Sequence, residues 1–398
     1  LDQRPEFFEP SGAALPDVAI DEDDPALILF TSGTTGRAKG ATVSHRGLVG
    51  FVDVLQHNVE EKKLAALRFM GIDPDSLPAG PPPVYLNTAP LFHVSGLPAG
   101  TLNTMEEGAT IVFRRGRFDP ADVLRLIEQH GVTNWTAPGD TAQRVMRHPD
   151  FATTDTSSIQ RVGTGGAHFS EALRAEIAEH FPQAAAAFGQ GYGSSETVVV
   201  VASTGGPEFE EHPDTTGAPN LHVDVEVRDA FGAALPEGAE GEIHVRSAYT
   251  MLGYWGNPDA SAGVLGPGRW LATGDVGRLD GGLLFINSRA RDMILHQGEN
   301  VYPAEVENRL DQHPDVAESA VYGVDHVDRG QDVKAVVVPR PGATLDADEL
   351  ADFCAAGLAR YKVPTVWEVR AEPLPRTAAG KIIKGVLRGD QELSQTEE

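Results

Sequence analysis

Thr31-Ser32-Gly33-Thr34-Thr35-Gly36-Arg37-Ala38-Lys39-Gly40 decides how this chain is read, and it follows directly on Ala26-Leu27-Ile28-Leu29-Phe30, an apolar run that reads as a buried strand. Glycines let backbone N–H groups turn toward an anion, and Ser and Thr hydroxyls add donors that can follow phosphate oxygens through a reaction. The stretch therefore has the chemistry of a phosphate loop. It is not a Walker A loop: five residues after Gly33 stands Ala38, and Lys39 is followed by Gly40. A polar turn is the ordinary reading of a Gly/Ser/Thr cluster, but the density of donors and glycines here favours phosphate.

Working outward, short apolar runs alternate with helical patterns, as a parallel α/β sheet requires. Ala109–Phe113 and Val132–Trp135 are further strand candidates, and between them Asp119 and Pro120 offer an N-cap and a first helical residue ahead of Val123 and Ile127. Ser170 caps a second helix whose Leu173, Ile177 and Phe181 share a face. Beyond Gly217 the pattern becomes alternating strands with turns, as in Val223–Val227 and Gly241–Val245, which predicts a small β subdomain over about residues 217–287. After Arg289 a helix from Pro303, a strand over Val333–Val338, a helix over Asp346–Ala359 and a strand near Val366 predict a compact α+β module. The fold expected is α/β: a large mixed domain over 1–290 with parallel sheets, then a smaller mobile α+β domain over 292–398.

Composition narrows the function. With 58 Asp+Glu against 32 Lys+Arg the formal net charge is −26, which repels nucleic acid and anionic membrane surfaces. Cys354 is the single cysteine, so no intramolecular disulfide forms, and it shares a helix face with Leu350 and Phe353 as a small hydrophobe. No apolar run is long enough to span a bilayer, and Leu1–Asp24 is acidic and proline-bearing rather than a signal peptide. A cytoplasmic protein is expected.

Further segments carry chemistry. Gly191-Tyr192-Gly193-Ser194-Ser195-Glu196 offers an aromatic plate, flexible glycines and a carboxylate suited to Mg²⁺ after a small-residue strand. Thr273-Gly274-Asp275 places a carboxylate on a turn, where it could accept both hydroxyls of a ribose. Ser288-Arg289-Ala290-Arg291-Asp292 and Gly298-Glu299-Asn300-Val301-Tyr302-Pro303 stand where the β subdomain gives way to the last module, and Pro375-Arg376-Thr377-Ala378-Ala379-Gly380-Lys381-Ile382 comes near the end. Each alone has a plain structural reading: Asp275 as a turn former, Arg289 as a surface ion pair, Lys381 as a solvated lysine. Their joint occurrence in this order does not. The basic cluster Arg114, Arg115 and Arg117 reads as a solvated loop before it reads as a site for the 3′-phosphate of CoA.

Together these segments resemble the adenylate-forming superfamily of acyl-CoA synthetases, firefly luciferase and peptide-synthetase adenylation domains, from about Asp24 to Leu387. Pro90-Leu91-Phe92-His93-Val94-Ser95-Gly96 and the Gly298–Pro303 string resemble the fatty-acyl-CoA synthetase branch most. The resemblance implies two steps: a carboxylate, expected to be a fatty acid, and ATP give acyl-AMP and pyrophosphate, then the thiol of CoA displaces AMP. It implies that Thr31, Ser32, Gly33, Thr34, Thr35, Gly36 and Lys39 hold the β and γ phosphates, with Thr31 and Glu196 near Mg²⁺. Tyr192, flanked by Gly191, Gly193 and Ser195, would stack on adenine, and Gly165, Gly166 and Ala167 would line the base and acyl carbonyl. Asp275 and Arg289 would bind ribose, and Lys381 would bridge carboxylate and α-phosphate. Arg291 would be the hinge, Gln297 and Gly298 would border the CoA channel, and His93, Val94 and Gly166 would line the acyl pocket. For His93 a gating role and a purely structural role stay open.

That residue set suits the reaction without the family. A carboxylate attacking a phosphate brings two anions together, so a cation must lie between them. Lysine is a mobile point charge suited to that place, and the second step needs it withdrawn, which a domain rotation accomplishes. Three positions depart from the family pattern: only Leu1–Phe30 precedes the phosphate loop, His296-Gln297-Gly298 replaces Ser-Gly-Gly, and Ala38 replaces a common proline. Two alternatives therefore stay open, an acyl-AMP ligase that loads an acyl carrier protein and a truncated, non-catalytic nucleotide- or acyl-AMP-binding form. The expected partners are a carboxylic acid and a thiol acceptor, with a homodimer left open.

Overall fold

A computed structural model describes residues 17–31, 38–76, 80–137, 141–163, 171–198, 200–289, 292–296, 299–326, 330–377 and 382–390. Strands β1 (Pro25–Thr31) and β2 (Lys39–Ser44) form an antiparallel hairpin in which Thr31 faces Lys39. The Ser/Thr/Gly-rich stretch thus connects two antiparallel strands, not a strand and a helix. β1 lies at the edge of its three-stranded sheet, so it is less buried than its apolar run predicts: Leu29 is 2% exposed, but Phe30 is 62% exposed. Ser44 then caps the helix His45–Phe69, its Oγ accepting from the Gly47 amide at 3.0 Å.

Four short strands, β3 (Val84–Asn87), β4 (Thr110–Phe113), β5 (Asn134–Thr136) and β6 (Arg161–Gly163), build a parallel sheet in the order β4-β3-β5-β6. Alternation sends Leu86, Val112, Trp135 and Val162 into one core, where Val123 and Ile127 of the helix Pro120–His130 cover them. That helix starts as its sequence predicts, Asp119 accepting from the Ala121 amide ahead of Pro120, and it ends at Gly131 with φ 58°. Ile177 and Phe181 reach the same core, and Phe181 meets Trp135 edge to face with centroids 6.2 Å apart. The carboxyl ends of these strands converge on one edge, where ligands of open α/β sheets bind.

Next come β7 (Gly189–Tyr192), β8 (Ala202–Gly205) and β9 (Ala218–Pro219), a small antiparallel sheet. The expected β-rich stretch follows as β10 (Asp224–Arg228), β11 (Gly241–Arg246), β12 (Gly253–Tyr254), β13 (Leu271–Asp280) and β14 (Leu283–Arg289). Four of these pair in the order β10-β11-β13-β14, whereas β12 leaves them and pairs with β2, Tyr254 opposite Ala41. A second core, including Leu29, Val43, Phe51, Val201, Ile243, Val245 and Leu284, binds these sheets together.

The chain then crosses into a third region through β15 (Ile294–His296), β16 (Glu299–Val301), β17 (Val316–His326), β18 (Gly330–Pro339) and β19 (Val366–Val369). β18 is central, antiparallel to β17 and parallel to β19. Val333, Ala335 and Val337 face a core with Leu350 and Cys354, while Val336 and Val338 face another with Tyr322 and Leu374. Burial on both faces explains the continuous apolar run Ala335–Val338 in this strand. Burial also pushes the Cys354 thiol up to about 11, so the residue behaves as a small core hydrophobe. Among the described residues no helix is long and apolar enough to cross a membrane.

Candidate active site

Three of the predicted residues meet at one carboxylate. Asp275, 6% exposed, accepts the Tyr192 hydroxyl on Oδ2 at 2.6 Å, and Arg289 Nε lies 3.3 Å from Oδ1. Burial first, then the charge of Asp275, holds the Tyr192 hydroxyl well above its ordinary range, so it remains a donor. Gly191 and Tyr192 lie inside β7, not after it, and space at Gly191 is tight: a Cβ would stand 3.1 Å from Val200 Cγ1, which would have to shift.

Asp275 is also not on a turn. It sits in a bulge of β13: Glu242 pairs with Val276 and His244 with Ala272, so Thr273, Gly274 and Asp275 oppose Ile243 alone. Gly274 takes φ 74°, a conformation that favours glycine. The ladder bonds lost there are replaced by side chains. Thr273 Oγ1 donates to the Ile243 carbonyl at 2.8 Å and accepts from the Asp275 amide at 3.1 Å, while the Gly274 amide donates to Glu242 Oε1 at 3.2 Å. Bulges re-aim side chains in this way, and here the result points Asp275 at Tyr192.

A second carboxylate lies beside the hairpin. Glu196 lies within a tight turn in which the Ser194 amide donates to Thr197 Oγ1 at 2.8 Å and the Thr197 amide to Ser194 Oγ at 3.2 Å. Glu196 Oε1 accepts the Tyr254 hydroxyl at 2.9 Å, and Lys39 Nζ stands 5.0 Å from the centre of the Tyr254 ring. Tyr254 thus joins the carboxylate to the far end of the phosphate-loop candidate, a role that Gly253-Tyr254 does not announce in sequence. Burial, then the charge of Glu196, raises the hydroxyl and keeps it protonated. Thr31 Oγ1 lies 3.4 Å from the Lys39 carbonyl across the base of the hairpin.

His93 and Val94 leave the carboxyl end of β3. The His93 ring lies 3.5 Å from Ser95 Oγ, and Val94 packs against the second core. Gly165, Gly166 and Ala167 come soon after β6 in the sequence but lie outside the described residues, as do Ser32, Gly33, Thr34, Thr35, Gly36, Arg291, Gln297, Gly298 and Lys381. The stretch that carries Lys381 is described at both ends: Arg376 pairs with Ile382 in a β-bridge, and Arg376 Nη2 lies 2.9 Å from Glu318 Oε2 on β17. Arg114 folds back onto the Gly116 and Arg117 carbonyls of its own loop, as a solvated loop does.

Hard oxygen donors from Glu196 and Thr31 fit Mg²⁺, which usually takes one or two carboxylates and completes its shell with substrate phosphates and water. Among the described residues there is no group of three or more His, Cys, Asp or Glu that could hold a metal.

The chain is similar to known proteins over most of its length. Residues 2–255 match the family described as AMP-binding enzyme, and residues 305–381 match the AMP-binding enzyme C-terminal domain. A feruloyl-CoA synthase of Amycolatopsis sp is 38% identical over 375 residues, covering 94% of this chain and 71% of the relative. A long-chain-fatty-acid–CoA ligase of Bacillus subtilis is 33% identical over 369 residues, 91% of this chain and 61% of the relative. ATP-bound MatB from Rhodopseudomonas palustris superposes with a TM-score of 0.79 at 30% identity, covering 94% of this chain and 70% of that one.

Proposed function

The chain belongs to the AMP-binding enzyme family of acid–CoA ligases, and from that premise we propose that it joins a hydrophobic carboxylic acid to CoA through an acyl-AMP intermediate. In the first step a carboxylate oxygen attacks the α-phosphorus of ATP and the bond to pyrophosphate breaks. In the second the CoA sulfur attacks the acyl carbonyl, its proton leaves, and the bond to AMP breaks. The observation that carries this reading is the Tyr192–Asp275–Arg289 cluster, with Glu196 and Tyr254 beside the hairpin.

In this reading the Tyr192 ring stacks on adenine while its hydroxyl fixes Asp275, whose remaining lone pairs accept the ribose hydroxyls. Arg289 lies beside the same carboxylate and adds a cation near the nucleotide. Ser32–Gly36 and Lys39 hold the outer phosphates, with Thr31 and Glu196 as the Mg²⁺ ligands. Such an ion, when bound, neutralises charge on the phosphates. Lys381 covers the anionic approach of carboxylate to phosphate, and rotation at Arg291 exchanges it for the Gln297–Gly298 border of the thiol channel. His93 and Val94 close the acyl side with Gly166.

The relatives' names span different acids, among them ferulate at 38% identity and a long-chain fatty acid at 33%. A panel of ferulate, 4-coumarate, indoleacetate and long-chain fatty acids is therefore the direct test, read as acid-dependent pyrophosphate release and then as acyl-CoA formed. Pyrophosphate release without thioester on free CoA would favour a carrier-protein acceptor. Nucleotide binding with no acid-dependent pyrophosphate release from any of them would refute the enzyme reading.

A further inference from the structure

We infer that Glu242 is a positioning residue for the carboxylate that reads the nucleotide ribose. The inference rests on the reading of Asp275 given above. Glu242 lies on β11, one strand away from Asp275, and touches neither Tyr192 nor Arg289 in any described contact. Its reach is through the backbone: Oε1 accepts the Gly274 amide at 3.2 Å, within the bulge that re-aims Asp275. Gly274 and its neighbours have left the β11 ladder, so their amides need other acceptors. Thr273 supplies one from within the bulge, and Glu242 supplies the other from the strand opposite.

The remaining surroundings keep Glu242 in its accepting form. His244 Nε2 stands 3.6 Å from Oε2, and this neighbour is the first cause that holds the Glu242 carboxyl below its ordinary range. His244 is largely buried, and its Nδ1 has no hydrogen-bond partner among the described residues. Across the strand pair, Arg228 is in register with Glu242. Removing the carboxylate leaves the Gly274 amide without its acceptor and frees a glycine with positive φ to relax, which carries the Asp275 side chain with it.

Binding is the readout, because it needs no knowledge of the acid. Titration calorimetry compares ATP with 2′-deoxy-ATP on the full chain, for wild type, Glu242→Ala, Glu242→Gln and Glu242→Asp, with thermal unfolding alongside. Glu242→Ala is expected to weaken ATP about tenfold, the scale of one lost hydrogen bond to a charged group, and to shrink the preference for ATP over 2′-deoxy-ATP. Glu242→Gln keeps an acceptor and is expected to stay within about twofold of wild type. Glu242→Asp, one methylene short, is expected to follow alanine and serves if the alanine variant does not fold. If wild type prefers ATP and the alanine and aspartate variants keep that preference, the inference falls and the reading of Asp275 stands. If wild type binds both nucleotides equally, Asp275 does not read the ribose and both fall together.

Discussion

Replacing Asp275 with alanine tests the nucleotide site most directly. An ionised carboxylate offers about four acceptor positions. Two are used here, one by the Tyr192 hydroxyl at 2.6 Å and one facing Arg289 Nε at 3.3 Å, which leaves two for the two ribose hydroxyls. Each hydrogen bond to a charged group contributes about 1.5–3 kcal/mol, and about 1.4 kcal/mol is a factor of ten in binding. Water recovers part of that loss in the variant, so the ATP KM should rise by about tenfold to a hundredfold, with the acid KM little changed. Asp275→Asn keeps one acceptor oxygen and should fall between alanine and wild type. The assay is pyrophosphate release at saturating acid, with melting temperature measured in parallel, since Tyr192 and Arg289 also lose this partner. An alanine variant whose ATP KM lies within about twofold of wild type, at normal stability, refutes the assignment and leaves Asp275 a residue of the bulge.

Lys381→Ala should abolish acyl-AMP formation while leaving thioester formation from supplied acyl-AMP largely intact; equal loss of both half-reactions, measured separately, contradicts a role confined to the first. Arg291→Pro should lock one orientation of the last module, because proline fixes φ and restrains Ala290, so one half-reaction survives and the other falls by orders of magnitude. Both half-reactions at wild-type rates with normal stability would move the hinge elsewhere. Asp311, which accepts from Ser319 Oγ at 2.9 Å, has its carboxyl raised to about 6, first by burial. A raised carboxyl contributes stability that is full below about pH 4 and is lost as pH climbs through 6. Raising the carboxyl from its ordinary value to about 6 corresponds to on the order of 3 kcal/mol, so Asp311→Asn should be the more stable protein near pH 7.5 and gain nothing near pH 4, as read from urea midpoints. Equal midpoint shifts at both pH values would show that Asp311 titrates normally.

What the sequence carried well is what local pattern encodes. The Asp119–Pro120 start, the alternation in β10 and β11, and the apolar run of β18 are each written in a few consecutive residues. The bulge was not legible, because Thr-Gly-Asp is equally the composition of a turn; only the register on β11 separates the two readings. β1 was expected to be buried because an apolar run does not say whether a strand has one neighbour or two. Tyr254 and Glu242 escaped for a different reason. Tyr254 meets Glu196 through a pairing of β12 with β2 that bridges distant parts of the chain, and Glu242 acts on Asp275 through a backbone amide. Neither stands in a stretch whose composition suggests chemistry; a tyrosine or glutamate of this kind becomes visible only when its partner in space is known.

The anchoring of the stretch around Lys381 has a mechanical consequence. Its two ends are fastened by the Arg376–Ile382 bridge and tied to Glu318 on β17, and the Leu374 amide donates to the same Glu318 at 3.2 Å. The base of the stretch therefore travels with the sheet, as the tip of a lever does with its beam. If the module turns at Arg291 as proposed, the turn would reach that base without being absorbed as slack, and a small angle at the pivot would become a larger displacement at the far end. On the proposed reading, accuracy in placing the lysine would depend on how stiff the beam is, so the doubly buried β18 would serve the placement of that residue as well as the stability of the fold.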